Sequence, residues 1–182
     1  MKHFLLLASF IDNTNSHIGR ATSWLILIAV LVSAGNAVMR YTIGDSSNAR
    51  LELQWVLIAA VFLLCAGYTL LNQQHVKIDI LYSRLPRRAQ LWVDIWGTIL
   101  FLWPMAFIIM WLSWPVFIAA LSSGEVSANT GGLTLWWARL LVPVGFFFLI
   151  LQGLSEIIKR VAILRGLIPD TSDSADSTAQ AA

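Results

Sequence analysis

Four long apolar stretches separated by short polar ones set the plan of this chain. They run over residues 22–43, 51–71, 91–112 and 135–158, and each can cross a hydrocarbon core of ~30 Å at ~1.5 Å per residue. The pattern predicts an all-α fold, a four-transmembrane-helix bundle forming one membrane domain over residues 1–168. The segments between the spans are too short for a second domain, and no internal repeat is evident. The third stretch continues through SWPVFIAAL to Leu121, further than a membrane core requires. A long third helix must therefore tilt or kink, with Pro104 and Pro115 as the points where a backbone donor is missing. Ahead of the first span, Phe4, Leu7, Ala8 and Ile11 recur at helical spacing, which reads as an N-terminal amphipathic helix lying in the interface. Residues 169–182 form an acidic, small and polar tail with nothing to build a core, and are expected to be disordered.

Polar positions inside the spans are not scattered. In the first span Ala29, Ser33, Asn36, Ala37 and Arg40 share a helical stripe. Small residues that allow close backbone approach, and amides that bond across, mark a packing face in lipid. The second span repeats small residues at heptad distance, Ala59 with Ala66 and Ala60 with Gly67. Glu52 opens that span, where the helix N-terminal dipole favours a carboxylate, and has two basic candidates for an ion pair, Arg40 on the antiparallel neighbour and Arg50 beside it. In the fourth span Gly145, Gln152 and Glu156 lie on one stripe, and Glu156 has Lys159 and Arg160 at i+3 and i+4 for a local ion pair. Asp94, near the start of the third span, is expected to find Gln90 or an arginine of the preceding connector.

Composition agrees with a membrane protein: 58% of residues are hydrophobic and 12% charged, against roughly 25% charged in soluble domains. A net charge of +2 does not indicate nucleic acid as a partner, because the basic residues gather beside the spans and not along an exposed face. Lys77, Arg84, Arg87 and Arg88 stand in the connector 72–88 against Asp79, whereas the connector 113–134 holds no Lys or Arg. The positive-inside rule then places 72–88, and with it both termini, in the cytoplasm. Trp24, Trp92 and Trp96 fall at that interface and Trp55, Trp111, Trp114, Trp136 and Trp137 at the other, leaving Trp103 central.

The residue types that catalysis and cofactor binding need are sparse. His3, His17 and His75 lie outside the spans, which speaks against a haem held between two helices, and the lone Cys65 reads as a packing residue. No Cys cluster, paired metal-binding histidines, phosphate loop or nucleophile elbow is present, so no enzyme, cofactor or metal site is expected. The spans also place no unpaired carboxylate or hydroxyl cluster at mid-membrane, as a complete secondary transporter would. These features describe a small helical membrane subunit that packs on a larger partner. Its outer connector, SSGEVSANTGGLT at 122–134, is the candidate for an exposed docking loop, with a plain tether as the alternative.

Three stretches then carry a resemblance: SAGNAVMRY at 33–41, LELQW at 51–55, and HVKIDILYSRLP at 75–86. Together they resemble the small, Q-type (DctQ-like) membrane subunit of tripartite ATP-independent periplasmic (TRAP) transporters. The resemblance implies a bacterial inner-membrane protein whose partners are a large, M-type membrane subunit, a periplasmic substrate-binding protein and the lipid bilayer. In that family the large subunit moves a carboxylate-bearing solute by sodium symport, and the small one is a non-catalytic scaffold that helps dock the periplasmic protein. Arg40, Glu52, His75, Lys77, Asp79 and Pro86 match the pattern, with structural or interfacial roles implied; Asn36 joins them from the packing stripe. Ser123, Glu125, Asn129 and Gly131 are the corresponding residues of the docking loop. A membrane anchor of another complex and a self-associating channel are the readings from other classes.

Overall fold

The computed structural model describes residues 2–44, 47–72, 85–129 and 131–169. Its named elements are all helical: α1 (Lys2–Thr42), α2 (Asn48–Leu71), α3 (Arg87–Gly97), a π-helical turn (Thr98–Leu102), α4 (Trp103–Ser123) and α5 (Trp136–Leu164). With α3, the π turn and α4 continuous, the chain makes four rods long and apolar enough to cross a membrane. The expected disorder of 170–182 falls outside the described residues.

Rod α5 is central, packing on α1, α2 and α4, while α1 and α2 pack on each other. Asn15 bonds Gln152 and Ser155 bonds the Ala8 carbonyl, so α1 and α5 run antiparallel. The start of α1 and the finish of α5 therefore share one end of the bundle, the terminal end. The loop 124–135 lies at the opposite, loop end.

Helices gain no hydrophobic reward for meeting in lipid, so close contact depends on small side chains. A Cβ on Gly145 would stand 2.8 Å from both the Cβ and the carbonyl oxygen of Leu63, and one on Gly67 would stand 2.6 Å from Asn15 Oδ1. Ala60 and Gly67 are buried as the heptad spacing predicts, whereas Ala59 is exposed and Ala66 half-buried. On α1, Ala29 and Asn36 are buried but Ala37 and Arg40 are exposed. The packing face instead runs back toward the N-terminus through Ala8, Ile11, Asn15, Gly19 and Thr22. Its positions 8, 15, 22, 29 and 36 keep the seven-residue repeat of left-handed helix pairs.

Two expectations change in form. The segment read as a separate interfacial helix is continuous with the first span in one helix of 41 residues, about 60 Å long. Ala8 and Ile11 bury against the bundle while Phe4 and Leu7 stay exposed. The break expected at Pro104 is taken up by the π turn, in which the Trp103 N–H reaches the Thr98 carbonyl five residues back. Pro104 cannot donate and its ring would crowd the Leu100 carbonyl, so the wider turn relieves both problems. Pro115, by contrast, is carried inside α4.

Candidate functional site

Polar side chains collect at the two ends of the bundle. At the terminal end Asn15 Nδ2 donates to Gln152 Oε1 at 2.7 Å, and Gln152 Nε2 donates to Asp12 Oδ1 at 2.9 Å. Ser155 Oγ donates to Asp12 Oδ1 at 2.6 Å. Asp12 also meets Lys159 Nζ at 3.1 Å. Glu156 forms the expected local pairs, with Lys159 at 2.5 Å and Arg160 at 3.1 Å. Arg160 extends the cluster to Asp94, an α5 partner for that carboxylate that local spacing did not indicate. Asn15, Gln152, Ser155, Glu156 and Arg160 are all buried. The cluster thus ties α1, α3 and α5 into one register. It was missed in the sequence because Asp12 and Asn15 sit before the hydrophobic span; the signal was the seven-residue recurrence that carries Asn15 into the packing face.

At the loop end a single carboxylate organises a loop. Glu52 Oε1 accepts from Ser127 Oγ, and from Asn129 Nδ2 at 2.7 Å. Its second oxygen, Oε2, accepts the Leu133 N–H at 2.8 Å. The pairing expected between Glu52 and Arg40 does not form: Arg40, in the last turn of α1, is exposed. Arg40 shares the Asn36 stripe at i+4 but stands beyond it in that last turn, and both Glu52 oxygens are taken by the loop donors. The loop adds its own bonds, an antiparallel bridge between Val126 and Thr134 and the Ser127 N–H to the Leu133 carbonyl at 2.9 Å. It leaves α4 through Gly124, whose φ of +61° suits a residue without a Cβ.

The other predicted residues divide as follows. Ser123 ends α4, exposed; Glu125 bonds Arg139 at 2.5 Å; Asn129 and Gly131 are exposed at the loop tip. Asn36 is buried with Oδ1 unpartnered among the described residues. Pro86 caps α3, its carbonyl accepting the Ala89 and Gln90 N–H groups at 2.8 and 3.2 Å. His75, Lys77 and Asp79 lie outside the described residues. Between the two ends the surface is apolar, and grooves of about 510 Å³ at Met110, Trp114 and Phe147 and about 550 Å³ at Ala29, Ser33 and Gln54 run along it.

Four apolar rods, glycine-mediated contacts and, among the described residues, ion pairs gathered toward the ends define an integral membrane protein of the multi-pass helical class. The family model for tripartite ATP-independent periplasmic transporters, DctQ component, matches residues 24–162. The chain belongs to this family and is a TRAP transporter small permease subunit. Neither curated proteins nor solved structures include a significant match to it.

Proposed function

We propose that this chain is the non-catalytic scaffold of its transporter: it binds the large transport subunit, broadens its seat in the bacterial inner membrane, and helps dock the periplasmic substrate-binding protein during sodium-driven carboxylate uptake. The observation that carries this reading is how its ionised groups are used. Glu52 holds a loop, while Asp12, Asp94, Glu156, Lys159 and Arg160 hold helices together at one end. Groups spent in this way are structural, and the sodium and substrate ligands then belong to the large subunit. Lys2, Arg88, Lys159 and Arg165 stand at or near the rod ends that meet at the terminal end, which supports placing that end in the cytoplasm and the loop after α4 in the periplasm. Arg40, Glu52, His75, Lys77, Asp79 and Pro86 keep structural or interfacial roles in this reading.

Affinity purification of the tagged chain, expressed with the other subunits of its own system, tests the proposal. A large multi-pass partner is expected to copurify in a fixed ratio. A homo-oligomer without such a partner would reject the scaffold role and favour the channel reading.

A further inference from the structure

We propose that Glu52 is the positioning residue of the loop end: it holds the described loop residues, 124–129 and 131–135, in one preformed shape, and that net-neutral shape is the surface met by the periplasmic binding protein. The inference rests on the docking role proposed above and adds the group that makes the loop a surface. Only 8% of Glu52 is exposed, yet its two oxygens collect three donors from the loop, from Ser127, Asn129 and the Leu133 backbone. A buried carboxylate at a helix start is costly unless it is fully hydrogen-bonded, and here the loop provides all three bonds. The geometry therefore runs both ways: the loop satisfies the carboxylate, and the carboxylate fixes the loop.

The outward side of the loop supports the choice of partner surface. Val126 is 55% exposed, and Asn129 and Gly131 are exposed beside it. The one acidic side chain of the loop, Glu125, is neutralised by Arg139. Such a tip offers shape and neutral hydrogen-bonding groups to a protein surface. A loop already ordered loses less freedom on binding than a tether does.

Glu52→Gln tests this with little change in size. A carboxylate accepts at both oxygens, whereas an amide accepts at one and turns an NH2 toward a donor, either the Leu133 N–H or the Ser127 and Asn129 groups. The complete membrane complex, in lipid nanodiscs, is titrated with the periplasmic binding protein of the same system, and loop amides are followed by hydrogen exchange. In Glu52→Gln the Leu133 amide is expected to exchange on the order of tenfold faster and the Kd to rise about fivefold, with the membrane subunits still copurifying. Ser127→Ala, which removes one donor and keeps the carboxylate, is expected to move both readouts the same way by about twofold. The wild-type to variant ratio should hold between about 0.1 M and 1 M salt, where the screening length falls from ~10 to ~3 Å.

A ratio that collapses to unity at high salt would mean that the lost charge is sensed directly, and overturns the positioning role. So would an unchanged Leu133 amide, or a loosened loop with unchanged affinity. A Gly/Ser replacement of residues 122–134 separates the two levels. If the replacement weakens docking while Glu52→Gln does not, positioning fails and the docking role stands; if neither weakens it, the docking role itself is rejected.

Discussion

The two ends of this bundle use buried charge for different purposes. At the terminal end, groups from α1, α3 and α5 meet one another, side chain to side chain, with Arg160 between Asp94 and Glu156. At the loop end one carboxylate meets a loop, through two side chains and a backbone N–H. The first arrangement joins rods that have no hydrophobic reason to stay in register in lipid; the second shapes a connector that would otherwise have little to bury. The difference predicts that damage at the terminal end is read as lost stability, while damage at the loop end is read as lost order outside the membrane.

The largest effect should come from Arg160→Met. It leaves buried Glu156 and half-buried Asp94 with fewer positive partners, a loss toward the lower end of the ~3–5 kcal/mol of a broken buried pair, and frees the start of the α3 to α4 rod. Thermal unfolding in detergent should show a clear drop in midpoint, and Arg160→Met with Asp94→Asn should recover part of it. A single variant that melts with the wild type would show that the cluster contributes no stability. Next in size is Gly145→Ala, where the new methyl meets the Leu63 backbone 2.8 Å away. Because backbone cannot rotate aside, about 1–3 kcal/mol should be lost. Gly35→Ala is the control: nothing lies within 4 Å of its Cβ position. Equal behaviour of the two alanine variants would contradict the close α2 to α5 approach.

How much of this was legible depends on distance along the chain. Hydropathy alone marked the four rods, and the Glu156 pairs were legible because i+3 and i+4 are neighbours on any helix. Asp94 and Arg160 stand 66 positions apart, and Glu52 stands 75 from Ser127; no local pattern connects such residues. Arg40 shows the opposite error: it lies near the right end of the bundle and on the Asn36 stripe, but it stands exposed in the last turn of α1 while the loop occupies Glu52. At Pro104 the sequence located the irregularity without its form, since a missing donor is equally relieved by a kink or a π turn. The family signature at His75, Lys77 and Asp79 named the chain's kin, although those residues lie outside the described structure.

Smaller effects sharpen the contrast between the ends. Asn15→Ala removes the 2.7 Å bond to Gln152. Interhelical hydrogen bonds in membranes are worth ~0.6 kcal/mol on average and up to ~1.7. Burial of both partners and the remaining bond from Gln152 to Asp12 place the expected loss within that range, visible as a modest fall in unfolding midpoint. Glu125→Gln should matter least. Its ion pair with Arg139 is about one-third exposed on both sides, where a pair is worth ~0.2–1 kcal/mol and is screened by salt. The loop keeps its Glu52 bonds in that variant, so hydrogen exchange at Leu133 should match the wild type while the same amide quickens in Glu52→Gln. If Glu125→Gln loosened the loop as much as Glu52→Gln does, the order of the loop end would rest on its surface pair and not on the buried carboxylate, and the contrast between the two ends would fail.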